Sequence, residues 1–262
     1  MQTVLTYLHI SDSHIGPTPD TRIKTLPTLP YLERLVALIN AFPQQPDFIV
    51  HTGDLSNDGS PESYAIAKAC LATLKVPVYC VRGNRDKPAM LRQHMGAPPH
   101  PAGSDAPLTY TFEVKGERFL VLDTYWTPPP RGHIDAAQLA RLQAECTTDG
   151  PPLTIFLHHP LFPLNSPWAD ENMLVDNGDM VHKALLPARN RLRGVFSGHL
   201  HHSLQFIRDG INYTTVSSNN AEQFAWHSWD ETIRLDENAQ PAYNVVQYFA
   251  DYVQVTQRTF SL

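Results

Sequence analysis

The chain has 262 residues, 42% of them hydrophobic and 18% charged, with a formal net charge of -6. This is ordinary for a globular enzyme with one well-filled core or two small ones, and it excludes disorder as the starting expectation. The acidic balance argues against long nucleic acid, whose phosphates need a basic groove, but it is compatible with a compact phosphorylated substrate.

In chain order, the apolar run Val4 to Ile10 predicts a buried strand. No basic residue precedes it, and Asp12 breaks it well short of the roughly 18 apolar residues of a membrane span, so neither a signal peptide nor an anchor is expected. A helix is predicted over Tyr31 to Phe42, where Leu32, Leu35, Leu38, Ile39 and Phe42 share a face. After a strand at Asp47 to His51, a second helix should begin with Ser60 as N-cap and Pro61 as its first residue, running to about Leu74. Further strands are predicted at Val78 to Val81, Phe119 to Leu122, Leu153 to Leu157 and Val195 to Ser197, with helices at Asp135 to Cys146 and Gly178 to Leu186. This alternation, which holds to about residue 200, implies a sheet flanked by helices with sites at the strand ends. From Gln205 onward the pattern is strand and turn: Gln205 to Ile207, Asp209-Gly210, Asn212 to Val216, Tyr243 to Ala250 and Tyr252 to Phe260. A second sheet stacked on the first is the economical reading. The Pro-rich pieces Pro98 to Pro101 and Pro128 to Pro130 read as loops. Cys70, Cys80 and Cys146 match no zinc or redox spacing and, being odd in number, cannot all pair, so reduced packing cysteines in a cytoplasmic protein are expected.

Five polar clusters each follow an apolar strand: Asp12-Ser13-His14, Gly53-Asp54, Gly83-Asn84-Arg85-Asp86, His158-His159-Pro160 and Gly198-His199-Leu200-His201. Six of the thirteen histidines, His14, His158, His159, His199, His201 and the adjoining His202, lie in or directly beside three of these short motifs. Residues two apart in extended chain point the same way, so Asp12 with His14, and His199 with His201, can each present two ligands together. Carboxylate, imidazole and amide oxygen suit borderline and hard divalent or trivalent metals, and the absence of cysteine disfavours a closed structural zinc site. Singly, a Gly-Asp is a turn and a His-x-His an exposed pair. Five clusters in order, with seven metal-competent side chains at predicted strand ends, instead read as a metal centre.

This series resembles the calcineurin-like metallophosphoesterase superfamily over about three quarters of the chain, from Ile10 to His201. Gly53-Asp54-Leu55-Ser56-Asn57-Asp58-Gly59 followed by Tyr64, and Val76-Pro77-Val78 leading into Gly83-Asn84, are most similar to class III cyclic nucleotide phosphodiesterases and related glycerophosphodiesterases. The resemblance implies an α/β fold, a four-layer α-β-β-α sandwich of two stacked mixed sheets flanked by helices, in a single domain over residues 1–262. It implies two metal ions, manganese, iron, zinc or cobalt. The first would be held by Asp12, His14, Asp54 and His201, and the second by Asp54, Asn84, His158 and His199, with Asp54 bridging. His158 is preferred to His159 because the family's ligand stands two residues before the proline, which leaves His159 a supporting role.

The implied activity is hydrolysis of a phosphodiester, cyclic nucleotide or glycerophosphodiester-like, by a hydroxide bridging two cations about 3.5 to 4 Å apart. Asp54, Asn84, Arg85 and His199 would carry it. The family usually has a histidine after the asparagine, where this chain has Arg85. Arginine does not give up a proton near neutral pH, so Arg85 is expected to grip a phosphate oxygen, against the alternative of a surface pair with Asp86 or Glu62. Protonation of the leaving oxygen would fall to water, to His202 or, second, to His51. Asp86 is expected to orient a neighbouring histidine, and Asn57 either to contact substrate or to cap its loop. Enzymes that cleave the pyrophosphate of UDP-diacylglucosamine resemble the chain at Gly83-Asn84-Arg85-Asp86, which makes a nucleotide or UDP-sugar pyrophosphohydrolase the alternative. The residues after Gly53-Asp54 are unlike theirs, and no long apolar lid is evident. A non-catalytic protein-binding scaffold is the rival of another class, disfavoured because all seven ligand positions are filled. A nuclease is disfavoured by the acidic charge and the lack of a basic, aromatic-bearing insert. Loops at Trp126 to His133, Asn165 to Asp179 and Ser217 to Trp229 should line the groove, where Trp126, Trp168, Phe224 or Trp226 could stack on a base or, more commonly, fill core. The expected partner is a small phosphorylated substrate, with neither long nucleic acid nor membrane, and a homodimer is among the assemblies the sequence allows.

Overall fold

Successive residues of a strand face opposite ways, and in this chain both faces of the central strands are apolar. Along Leu5–Ile10, Tyr7 clusters with Phe48, Phe119, Phe156, Phe196 and Tyr248, while Leu8 and Ile10 join Leu35, Ile39 and Ile49 on the other side. Along Glu117–Val121, Phe119 and Val121 belong to that same aromatic cluster, and Leu120 packs instead with Leu142, Ile155, Val181 and Leu185. Two sheets therefore stack face to face on the aromatic cluster. Helix Leu29–Asn40 covers the outside of one, and helices Ala136–Thr147 and Gly178–Leu185 cover the outside of the other. This is the expected α-β-β-α layering, seen in a computed structural model that describes residues 3–147, 149–220, 223–227, 230–236 and 238–262. The Tyr7 and Tyr248 hydroxyls, buried between the sheets, satisfy each other at 3.3 Å, and Thr154 Oγ1 lies 2.6 Å from the Tyr248 hydroxyl.

The first sheet runs Val253–Thr259, Ala242–Tyr248, Leu5–Ile10, Phe48–His51, Val78–Cys80, with the last three strands parallel. The second runs Gln205–Arg208, Ile211–Thr215, Leu192–Ser197, Leu153–Phe156, Glu117–Val121, Tyr110–Val114, with its four middle strands parallel. All five polar clusters leave the carboxyl ends of parallel strands, where the crevice of an α/β sheet lies.

The division of the chain between sheets differs from the sequence reading. Its first 200 residues feed both sheets, and the strands at Ala242–Tyr248 and Val253–Thr259 return to the first sheet. They pair antiparallel beside Leu5–Ile10, which would otherwise present an open edge at the core. The Tyr110–Val114 strand and the helices Pro88–Met95 and Pro167–Asn172 were not expected. The first is one arm of a hairpin whose Lys115-Gly116 turn has both residues at positive φ, 51° and 81°. Helix Pro61–Leu71 starts as predicted, with Ser60 Oγ accepting Ser63 N–H at 3.3 Å, but ends at Leu71. Cys80 and Cys146 are buried, Cys70 is half-buried, and all three are unpaired. Among the described residues no helix is long and apolar enough to cross a membrane.

Candidate metal centre

Five of the nine non-glycine residues with positive φ, among those described, are Asp12, His14, Asp54, His199 and His201, at 46° to 70°. Left-handed backbone costs about 1–2 kcal/mol per L-residue, so its concentration here marks turns bent to aim particular side chains. They aim inward together. His14 Nε2 and His201 Nε2 are 3.0 Å apart, and Asp12 Oδ1 lies 3.4 Å from the second and 3.9 Å from the first. Asn84 Oδ1 is 3.2 Å and His199 Nδ1 3.1 Å from His158 Nε2. Asp54 Oδ2 stands between the groups, 3.9 Å from His14 Nε2 and 3.7 Å from His158 Nε2. The seven residues singled out from the sequence thus converge on two adjoining donor sets that share one carboxylate oxygen.

The donor chemistry fits cations. His158 Nδ1 donates to the Thr52 carbonyl at 2.7 Å, which leaves Nε2 without a proton, facing the acceptor Asn84 Oδ1. Two lone pairs at that distance repel unless a cation lies between them. Burial pushes the His158 ring below its ordinary pKa, and burial aided by neighbouring histidines pushes His14 and His199 well below it. Neutral imidazoles are the form that ligates metal. Burial would raise the Asp12 carboxyl, yet the imidazoles of His201, His158 and His14 together hold it far below the usual carboxylate range. Asp54 goes the other way, raised by burial and then by the negative charges of Asp12 and Asp86. A cation in contact with Asp54 offsets both causes.

Glycines make the close approach possible. A Cβ on Gly83 would lie 2.1 Å from Asp54 N, and one on Gly198 would lie 1.9 Å from Ser11 Oγ and 2.8 Å from Asp12 Oδ2.

Other expectations fare unevenly. Of the adjacent histidines it is His158 that faces Asp54 and Asn84. His159 Nδ1 is 2.7 Å from Thr124 Oγ1, and its ring packs 4.3 Å from that of His199. Arg85 is exposed, its backbone N–H donates to Asp54 Oδ1 at 2.8 Å, and its charge is among those felt at His14. Among the described residues its guanidinium forms no ion pair with Asp86 or Glu62. His51 is buried: it accepts Gly53 N–H on Nδ1 at 3.3 Å, and its Nε2 then donates to Ser13 Oγ at 2.7 Å, which engages the one proton of the neutral ring. His202 is half-buried, donating from Nδ1 to the Phe224 carbonyl at 2.8 Å, with its ring 4.8 Å from Trp226. Asn57 is half-buried in the turn after Asp54. Among the described residues no hydrogen bond joins Asp86 to a histidine: its carboxylate instead accepts backbone N–H groups of Leu55, Ser56 and Gly83.

Of the groove aromatics, Trp126 is 44% exposed beside His133, and Trp168 and Trp226 pack with Leu164 and Leu200. Phe224 stacks on His201 at 4.9 Å, with Lys24 Nζ 5.4 Å from its ring, a pairing that nothing local in the sequence announces. Residues 221, 222, 228 and 229 of the Ser217 to Trp229 loop lie outside the described residues. Also missed were Ser218 and Asn219: Ser218 Oγ donates to the Asp12 carbonyl and Asn219 Nδ2 to Ser13 Oγ, both at 2.8 Å. The Ser-Ser-Asn-Asn run after a strand was the available signal, since such residues bond nearby backbone in turns.

A family model described as calcineurin-like phosphoesterase matches residues 5–203. The chain belongs to the calcineurin-like phosphoesterase family. Among its relatives, a cAMP/cGMP dual specificity phosphodiesterase of Mycobacterium tuberculosis is 32% identical over 80% of this chain, a match that spans 66% of the relative's length. A glycerophosphodiester phosphodiesterase of Enterobacter lignolyticus is 28% identical over 74% of this chain and 69% of its own. In fold, this calcineurin-like phosphoesterase superposes on a dimetal phosphatase from Danio rerio with a TM-score of 0.70 at 16% identity, covering 99% of this chain and all of the other.

Proposed function

We propose that this phosphoesterase hydrolyses phosphodiesters with two metal ions, one held by Asp12, His14, Asp54 and His201 and the other by Asp54, Asn84, His158 and His199. The observation that carries the reading is the shared oxygen: Asp54 Oδ2 is within 3.9 Å of His14 Nε2 and 3.7 Å of His158 Nε2, so one carboxylate reaches both donor sets. When bound, two such ions supply positive charge that polarises the phosphate and acidifies a water. The chain's own residues do the rest. The neutral rings and the two aspartates fix where those charges sit, and the backbone N–H of Arg85 holds Asp54 by its other oxygen, leaving Oδ2 to face both sets. Arg85, exposed on the same turn, grips a non-bridging phosphate oxygen, a charge-assisted contact that a protonated histidine would otherwise make. Histidine at that position could also protonate a leaving alkoxide, whereas Arg85 cannot. The leaving oxygen then takes its proton from water or His202, and groups that leave well are favoured. That substitution is also what favours the second reading, a nucleotide or UDP-sugar pyrophosphate, whose phosphate leaving group needs no acid. The names of the relatives support the diester: a cyclic nucleotide or a glycerophosphodiester.

The test is a panel of a simple diester, a monoester, cyclic AMP and a UDP-sugar pyrophosphate, assayed with added manganese, with Asn84→Ala alongside. We expect the diester to turn over faster than the monoester and the variant to lose most activity. Preference for the pyrophosphate would replace the substrate reading. Full activity in Asn84→Ala would remove the second metal position.

A further inference from the structure

The Asp86 carboxylate is buried and gathers four donors. Its Oδ2 accepts Leu55 N–H at 3.2 Å and Gly83 N–H at 3.1 Å, and its Oδ1 accepts Ser56 N–H at 3.1 Å and the Tyr64 hydroxyl at 2.8 Å. Leu55 follows Asp54, and Gly83 precedes Asn84. One carboxylate therefore spans the two turns that present these side chains. The Tyr64 hydroxyl also accepts Lys87 N–H at 2.9 Å, anchoring the bracket to helix Pro61–Leu71.

The two turns do not depend on this bracket equally. The Asp54 turn has its own backbone ties to the first strand's end: Asp12 N–H to the Gly53 carbonyl at 3.0 Å, and His14 and Ile15 N–H to the carbonyls of Asp54 and Leu55, each at 2.9 Å. The Asn84 turn reaches the Asp54 turn through the bond from Arg85 N–H to Asp54 Oδ1, at 2.8 Å, and through Asp86. Loosening Asp86 should free Asn84 far more than Asp54.

We propose that Asp86 is a positioning residue, which sets the separation of Asp54 and Asn84, and so the affinity of the second metal position, without touching metal or substrate. This rests on the two-metal reading above. The chemistry demands a carboxylate: three backbone N–H groups and a hydroxyl converge on it, and a buried amide in its place would turn a donor NH2 toward them.

The test is manganese titration of the full chain, read by calorimetry and by the spin-coupled electron paramagnetic resonance signal of a paired site, for wild type, Asp86→Asn and Tyr64→Phe. Melting temperature without metal serves as the folding control. Wild type should take up two ions. Asp86→Asn should bind the second about 10- to 100-fold more weakly, with the first unchanged, and should lose the coupled signal at metal concentrations that saturate wild type. Tyr64→Phe, which keeps three of the four donors, should shift the second affinity the same way by less. Equal weakening of both ions, or an unchanged second affinity, would overturn the proposal. Should Asp86→Asn fail to fold, Tyr64→Phe carries the same criteria. A wild-type chain that binds no second ion would remove the two-metal reading itself, before any variant is compared.

Discussion

At the scale of single residues, the centre depends on atoms that are missing as much as on those present. Gly83 admits the Asp54 backbone so closely that Gly83→Ala must displace the Asp54 carboxylate or the Asn84 turn. Misplacement of a catalytic group by about 1 Å costs on the order of 100-fold in rate, so diesterase kcat/KM should fall by about that factor, together with bound manganese measured by elemental analysis. Wild-type turnover in this variant would mean that the packing is slack. Arg85 offers a second test. Losing a charge-assisted contact, worth about 1.5–3 kcal/mol, should lower kcat/KM by about 10- to 100-fold in Arg85→Ala, mainly through KM. Arg85→His should recover part of this and add a loss of activity above about pH 6.5, because an imidazole acid must be protonated and arginine has no such limb. Identical pH profiles for the wild type and Arg85→His would separate that side chain from the phosphate.

At the scale of elements, the turns are aimed by what they are attached to. Helix Pro61–Leu71 begins at the turn after Asp54, and its Tyr64 reaches back to Asp86, so its first turn belongs to the frame of the centre. Ser60 caps it through Ser63 N–H. Ser60→Ala should cost about 1 kcal/mol and lower the melting temperature by about 2 °C, with activity falling no further than the unfolded fraction requires. A much larger loss of activity than of stability would show that helix and centre are coupled beyond the cap.

At the scale of the whole molecule, stability should follow both metal and pH. Manganese at about 100 times its dissociation constant adds about 2.7 kcal/mol, or roughly 5 °C in melting temperature, an increment that chelation should abolish. Without metal, buried neutral histidines make the fold sensitive to acid. Burial, reinforced by His51, holds His9 down at about 3, and burial holds His51 at about 4. Unfolded histidines take protons at about pH 6.5, so between there and about pH 4 the unfolded chain binds more protons. Stability is complete above pH 6.5 and falls on acidification, by up to about 1.4 kcal/mol per pH unit for each such ring. Thermal melts of the metal-free chain from about pH 7.5 to about pH 4.5 should show this, and a flat profile would contradict neutral burial.

Much of this was written locally in the chain. The apolar runs and the Ser60-Pro61 start are short-range features, and the metal-competent side chains lie within five short clusters, so strand ends and ligand candidates could be read before any contact was known. Burial and partnership could not. Whether Asp86 would meet a histidine or three peptide N–H groups, that His51 would turn to Ser13, and that Ser218 and Asn219 would support a turn more than 200 residues earlier, depended on which turns the stacked sheets brought face to face. Likewise the last two strands carry the alternation of any half-buried strand. Only the open flank of Leu5–Ile10 determined which sheet they complete, because strand pairing is a bond between backbones that carries little record of its partner in either sequence.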